Sequence, residues 1–516
     1  MSSYLLIDLL SEILDYLKND FNSLYSCLLV SRFWCRAVVP ILWRNPFKID
    51  VPMNKNYQEL KIENNRKYLT IFSTIYSCLP KDSKEIISDN KIEIPLNIII
   101  YERPLFDYPR FCKTIDTYNL YSMFTWIDIF PEQNDLGVNF KSNILGQEVL
   151  KLLFAKDLLL KQFILSAEEF NVHLTQFSGI QHTFSVLTEF EACDDVSSDI
   201  YDEMAQICTN IQHLKITSET FDYENSGLAK FIKAQQCLKA LTFKQSFLKM
   251  SKELTLAIYD HINSIVEINI DHFHDWDEYE TLSKFINLRK LNVESEIYCE
   301  SCYNYDSVAK YLGEKSRCYK FPNLQTLILH GQLFLESVSN IINNTRGDLN
   351  IIYLSNCYEF NERIHNSRYY HSLMDNCPNL KYVNIYVDKT LESVQYLRNL
   401  LSNCTRIEGI IFAHIVNEFE LEADFILELL GMILPLNSHL FQLQIPIDWK
   451  FSYNAFNRFF EDWRGRRGLR LYFYHKQIEN NKNLQRYKNL FRKYCDEGVI
   501  RNIKFIGETF DFTKTR

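Results

Sequence analysis

Cys377-Pro378-Asn379-Leu380-Lys381-Tyr382-Val383-Asn384-Ile385 is the stretch whose spacing decides the fold. Its apolar residues stand at Leu380, Val383 and Ile385, an apolar-x-x-apolar-x-apolar pattern. The same spacing returns at Ile211, Leu214, Ile216; at Leu238, Leu241, Phe243; at Ile265, Ile268, Ile270; and at Leu288, Leu291, Val293. It continues at Leu324, Leu327, Leu329; at Leu349, Ile352, Leu354; at Ile407, Ile410 and Ile411 or Phe412; and at Leu440, Leu443, Ile445. Weaker copies stand at Leu160, Phe163, Leu165; at Leu187, Phe190, Ala192; and at Ile500, Ile503, Phe505. Most copies start about 23 to 33 residues apart. A unit of that length cannot bury its own apolar face, so copies must stack around one shared core.

Leu349-x-x-Ile352-x-Leu354-x-x-Cys357 fits the longer leucine-rich pattern, which closes on Asn or Cys. Cys208, Cys377 and Cys404 each stand three residues before the first apolar position, which resembles cysteine-containing leucine-rich repeats. The return segments read as helices. Asp388 to Cys404 sets Leu391, Val394, Leu397, Leu400 and Leu401 on one stripe, with Asp388 or Thr390 as its cap. A strand and a helix per unit predict a curved α/β solenoid, with a concave parallel sheet and helices outside. The strand residues between the apolar ones then face the concavity. They are His213, Lys215, Glu267, Asn269, Asp271, Lys290, Asn292, Glu294, Thr326, Ile328, His330, Tyr382, Asn384, Tyr386, Gln442 and Gln444. Their mix of acids, amides and aromatics suits a protein target.

Bulk properties narrow the classes. The chain has 516 residues, 47% apolar and 23% charged, with only 13 Gly and 12 Pro, which is ordinary globular usage without long flexible linkers. A net charge of −9 gives no general case for nucleic acid. Residues 463–516 alone hold 14 Lys and Arg against 5 Asp and Glu, and read as a solvated helical cap. The 14 cysteines are scattered rather than framed as disulfides, so free thiols in a reducing compartment, cytoplasmic or nuclear, are expected. Asp8, Glu12 and Asp15 interrupt any leader-like run at the start, and no long uncharged apolar run predicts a membrane span.

The first 47 residues form a distinct block. Leu6, Leu9, Leu10, Ile13, Leu14 and Leu17 fall on one helical face. Asn22 or Ser23 can cap a second helix carrying Leu24, Cys27 and Leu28, and Ser31 can open a third that Pro40 stops or restarts. So small a unit has little core, and its leucines and two tryptophans suggest a face covered by a partner. The residues Glu12-Ile13, Leu17, Ser26-Cys27-Leu28-Leu29-Val30-Ser31-Arg32-Phe33-Trp34 and Pro40-Ile41-Leu42-Trp43-Arg44 resemble the F-box, in wording close to a large group of fungal F-box proteins. The family's Leu-Pro opening is Leu5-Leu6 here.

This resemblance implies a partner. F-box helices dock on the Skp1 adaptor, which joins a cullin scaffold and a RING subunit. Leu5, Leu6, Ile13, Leu17, Leu28, Val30, Trp34, Leu42 and Trp43 are then the docking or supporting residues. The implied protein is a non-catalytic substrate receptor of an SCF-type ubiquitin ligase. The implied domains are an F-box at 1–47, a helical adaptor and N-terminal cap at 48–150, and a leucine-rich-repeat solenoid with its C-terminal cap at 151–516.

No phosphate loop, nucleophile elbow or His-Glu-x-x-His stands in the sequence. Cys299, Cys302 and Cys318 lack a second pair for zinc, and His272 and His274 read as a strand end. Neither metal nor cofactor is expected.

Overall fold

The structure is a computed structural model. It describes residues 2–48, 57–94, 98, 102, 104–127, 136–155, 158–166, 173–217, 225–244, 251–273, 277–295, 313–331, 335–355, 363–387, 390–413, 422–434, 438–446, 449–474 and 482–506. The chain divides into two units, Met1–Lys244 with Lys249–His261, and Gln245–Leu248 with Ile262–Arg516.

The first unit opens with helices α1 (Ser2–Asp15), α2 (Phe21–Leu28) and α3 (Arg32–Leu42), followed by α4 (Tyr57–Cys78), α5 (Lys81–Asp89), α6 (Thr117–Trp126) and α7 (Leu136–Phe154). Strands β1 (Thr114–Asp116), β2 (Gln162–Ile164), β3 (Glu189–Cys193), β4 (His213–Thr217) and β5 (Ala240–Phe243) pair in sequence order, all parallel. The second unit holds β6 (Glu267–Phe273), β7 (Lys290–Ser295), β8 (Thr326–His330), β9 (Ile351–Ser355), β10 (Tyr382–Tyr386), β11 (Gly409–Ala413), β12 (Gln442–Pro446), β13 (Leu469–Tyr474) and β14 (Ile500–Ile506). These too run parallel and in order.

The triplets explain the stacking. In β10 the register sets Val383 beside Ile410 and Ile385 beside Phe412, so like positions of successive units touch. The third apolar position of that unit is therefore Phe412, not Ile411. Leu380, Val383 and Ile385 are all fully buried, as are Leu324, Leu327 and Leu329. Cys208, Cys377 and Cys404 are buried at the ends of the preceding helices. Burial pushes the thiols of Cys208 and Cys404 up to about 12 and about 11.

A backbone device repeats beside the side-chain one. At most of the described strand entrances the carbonyl just before the strand accepts two successive N–H groups from the next repeat. Phe441 is an exception and accepts only the Arg470 N–H, because the Leu469 N–H bonds the Val499 carbonyl. Lys113 receives Lys161 (2.8 Å) and Gln162 (3.1 Å), and Lys161 receives Thr188 (3.4 Å) and Glu189 (3.0 Å). In the second unit Arg289 receives Gln325 and Thr326, and Asn350 receives Lys381 and Tyr382. These bonds satisfy the carbonyls at the entrances named.

Two strands escape the triplet pattern. β1 pairs Ile115 with Phe163, which puts Cys112 and Thr117 at the flanking apolar positions. It lies inside the stretch expected to be a helical adaptor. β13 pairs Leu471 with Leu443, which puts Gly468 where Leu440 stands in β12. A Cβ on Gly468 would come within 3.2 Å of the Gly498 carbonyl oxygen, so the close approach favours glycine there. The cap helix over Leu391–Asn403 begins on Thr390, whose side chain accepts from the Ser393 N–H.

The β9–β10 junction is unusual. Only Tyr382 and Ile351 pair as ladder residues. One step on, the Asn384 side chain takes over. Its Oδ1 accepts from the Leu354 N–H (2.8 Å) and its Nδ2 donates to the Leu354 carbonyl (2.7 Å). A side-chain amide thus replaces a peptide in the ladder. Behind it, the buried hydroxyls of Tyr369 and Tyr370 donate to the carbonyls of Asn384 and Tyr386, each at 3.1 Å.

Candidate functional site

The N-terminal helices close a small core from Leu14, Leu24, Ala37, Val38 and Ile41. Asp20 caps α2 by accepting from the Ser23 N–H and hydroxyl, which holds its carboxyl below the usual range. The cap is therefore Asp20 rather than Asn22 or Ser23. Ser31 caps α3 as expected, through the Trp34 N–H. Pro40 lies inside α3 and neither stops nor restarts it. Arg44 pairs with Asp15 and ties the end of the block to its first helix.

What the core leaves outside is apolar. Leu9 and Ile13 on α1 and Tyr16 just past its end follow one another at i, i+4 and i+7, the spacing of one helical face. Ile13 is 63% exposed and Tyr16 92%. Tyr25 on α2 and Leu29 and Val30 at the α2–α3 turn are also exposed, Leu29 at 74%. With Phe21, that makes seven large exposed apolar side chains among the described residues of this short block, a concentration of the kind that marks an interaction surface.

The expected docking residues divide on this surface. Ile13 and Val30 are exposed. Leu17, Leu28, Trp34 and Leu42 are half-buried and pack on the three-helix core. The Trp43 ring lies 4.6 Å from that of Tyr108 and anchors the block to the rest of its unit. Leu5 and Leu6 lie in α1, but their side chains are outside the described residues. Leu9, Tyr16, Tyr25 and Leu29 were not among the expected set, although the helical spacing of 9, 13 and 16 carries the signal for the α1 face.

The block is continuous with the repeats of its unit. The Arg44 carbonyl accepts from the N–H groups of Lys113 (2.7 Å) and Thr114 (2.9 Å), the same pair of hydrogen bonds that the carbonyls of Lys113, Lys161, Thr188 and Gln212 accept after it. Phe47 is fully buried, and Lys67 donates to the Lys48 carbonyl at 2.7 Å.

The strand-face residues also divide. His213 and Glu294 are exposed, and Lys215, Asn269, Asp271, Asn292 and Thr326 are half-buried. Lys290 pairs with Glu267 (2.7 Å) and Lys215 with Glu191 (3.0 Å). His330 bonds the Ser355 hydroxyl and lies against Tyr353. Asn384 is 1% exposed and Tyr386 is buried, which corrects the expectation that they face a target: both are committed to the sheet. Ile328 is also buried, clustered with Tyr353 and Ile411 against Tyr382. Gln442 and Gln444 are buried as well, but the Gln442 Nε2 is not committed to the sheet: it has no hydrogen-bond partner among the described residues. The Tyr382 hydroxyl donates to Glu408 at 3.1 Å, and burial followed by that carboxylate pushes it up to about 12.

The acid–thiol group Cys193, Asp194 and Asp195 at the end of β3 is the metal-like cluster among the described residues. The Cys193 thiol is pushed up by burial and stays protonated, which suits it poorly as a ligand. Cys299, Cys302 and His274 lie outside the described residues, as does the side chain of His272. Among the described residues, no helix is long and apolar enough to cross a membrane.

Residues 7–49 match the family described as F-box-like. The chain therefore carries an F-box-like domain at its N-terminus, followed by a long parallel-sheet repeat domain of the kind its leucine-rich spacing foretold. A crystal structure of a TLR13–ssRNA13 complex aligns over 70% of this chain and 63% of that one, at 10% identity and a TM-score of 0.27. The chain thus spans less than two thirds of that protein. No curated protein matches the sequence. Nothing in these matches supports the fungal part of the resemblance.

Proposed function

We propose that the chain is the substrate-receptor subunit of an SCF-type ubiquitin ligase. The observation that carries this reading is the exposed apolar face of Leu9, Ile13, Tyr16, Leu29 and Val30 inside the segment that matches the F-box-like family. A Skp1-type adaptor covers that face and brings the cullin and RING subunits with it. The repeats hold a protein target through the accessible part of the strand face, with His213, Lys215, Glu267, Asn269, Asp271, Lys290, Asn292, Glu294, Thr326 and His330 as its polar groups. The chain itself supplies no nucleophile. Its contribution to the reaction is proximity, which raises the local concentration of target lysines at the charged enzyme. The described cysteines are free thiols, which fits a reducing compartment, cytoplasmic or nuclear.

The test is capture of the full chain by a purified Skp1-type adaptor, beside an Ile13→Asp, Val30→Asp double variant. Both side chains are outside the core, so the variant should fold. Its adaptor affinity should fall about tenfold or more, as for loss of central interface anchors. Failure of the unaltered chain to bind would end the ligase reading. A second reading keeps a repeat scaffold without degradation, and rests on Leu6 standing where the family has proline. Adaptor binding without ubiquitin transfer to any bound protein would favour it.

A further inference from the structure

One row of side chains crosses β10 to β14 in register: Tyr382, Gly409, Gln442, Arg470 and Asn502. Gly409, itself buried, places no side chain beside Gln442. Gln442 is 2% exposed, yet its Nε2 has no hydrogen-bond partner among the described residues. An unanswered amide donor at that depth costs stability unless something completes it. The charge around it has one sign. The guanidinium groups of Arg467 and Arg470 lie 3.6 Å and 5.5 Å from the centroid of the Phe441 ring, and Lys504 stands one row further on the same face. None of these three cations has a carboxylate partner among the described residues. The neighbouring acid, Glu408, is already taken by Lys381 (3.0 Å) and the Tyr382 hydroxyl. By contrast, Arg464 on the adjoining turn is fully engaged by Glu461 and Glu497.

From this arrangement we propose that the strand face at Gln442, Arg467, Arg470 and Lys504 binds an acidic extended peptide, with side-chain carboxylates at the arginines and an oxygen acceptor at the Gln442 amide. Charge complementarity selects an anion. Nucleic acid fits less well. Single strands are held by exposed aromatic platforms, whereas Phe441 and Tyr472 are buried and the Phe441 ring is covered by Arg467. The inference rests on the reading of the repeats as the target-holding part and names the chemistry of that target.

The test is fluorescence anisotropy of the full chain with a labelled twelve-residue peptide of alternating Glu and Ser, a phosphoserine version of it, and a labelled single-stranded oligonucleotide. Variants are Arg467→Glu, Arg470→Glu and, as a control for charge alone, Arg458→Glu on a different surface. The acidic peptide should bind at low salt, and Arg467→Glu or Arg470→Glu should weaken it about tenfold or more, the loss of a charge-assisted hydrogen bond. Arg458→Glu should leave it unchanged. Tighter binding of the phosphoserine version that the same variants abolish supports the same surface with phosphate as the anion. No binding of either peptide overturns the proposal. So does equal weakening by Arg458→Glu, and so does an oligonucleotide that binds tighter than both peptides and is lost in the same variants. Adaptor capture is measured separately on Arg470→Glu. Peptide binding lost with adaptor capture kept isolates this surface, while a chain that never binds the adaptor fails on the earlier reading instead.

Discussion

Replacing Asn384 by Leu tests the amide that stands in for a peptide between β9 and β10. Leucine has the same number and branching of side-chain heavy atoms, with bulkier methyl groups in place of the oxygen and nitrogen, so at a site that is 1% exposed the change removes hydrogen bonds without opening a cavity. Two backbone groups of Leu354 lose their partner together, the N–H at 2.8 Å and the carbonyl at 2.7 Å. Each buried group left unanswered costs about 1–3 kcal/mol, so the pair costs about 2–6 kcal/mol, less a small gain from the added apolar surface. For a unit of this size each kcal/mol lowers the melting point by about 2–4 °C. A fall of about 5–20 °C is therefore expected for the second unit, followed by calorimetry or by fluorescence of its tryptophans. Hydrogen exchange should also show faster exchange at Leu354. Asn292→Leu is the control, because β7 and β8 keep an unbroken backbone ladder there and the Asn292 Oδ1 has no partner to lose. Equal melting of Asn384→Leu and the unaltered chain, with Leu354 still protected, would refute the clamp.

Three further outcomes follow from the same structure. Glu461 accepts from Arg464 and the Tyr494 hydroxyl, and those bonds hold its carboxyl down to about 2, from an ordinary 4.5. A depressed carboxyl stabilises the fold above its unfolded value and loses that contribution as pH falls. Acid titration should therefore loosen the last helices between about pH 4.5 and 2, and Glu461→Gln should flatten that part of the curve. Gly227→Ala should destabilise the first unit by several kcal/mol, of the order seen for overpacking, because its Cβ would sit 2.2 Å from the Ser198 carbonyl oxygen; thermal melting checks this. A thiol reagent at pH 8 should label the exposed Cys237 and Cys318 within minutes, while Cys208 and Cys404 react only in denaturant, as read by peptide mass spectrometry.

The repeat was legible because it is written in side-chain period. Twelve triplets fall on strands β2 to β12 and β14, with one strand, β13, hidden between them. It was hidden because glycine holds the first apolar place, and β1 because Cys112 and Thr117 hold two. A close backbone approach and a small buried hydroxyl replace apolar bulk there, and no periodicity records that. The N-terminal helices were legible from spacing, but the division between core and outward residues was not. Leu17 and Leu28 turn inward while Leu29 and Val30 turn out, and one residue of rotation at a helix end decides it. The strand face was read as uniformly open. Ile328, Tyr353 and Ile411 cluster against Tyr382, contacts between residues up to three repeats apart that a single repeat cannot announce. The amide of Asn384 looked like a solvent-facing group, since the gap it fills in the ladder exists only once β9 and β10 are side by side.

The Arg44 carbonyl has a geometric consequence. Because it takes two N–H groups just as the Lys113, Lys161, Thr188 and Gln212 carbonyls do, the end of the N-terminal helices occupies the rung before β1. Parallel strands are spaced by about 4.8 Å, so a body seated on Ile13 and Leu29 keeps a fixed offset from β1 to β5, counted in whole strands. Lengthening a loop in this unit leaves that offset alone. Only adding or deleting a complete repeat changes it, and then by one fixed step, so reach in this half of the molecule is a discrete quantity.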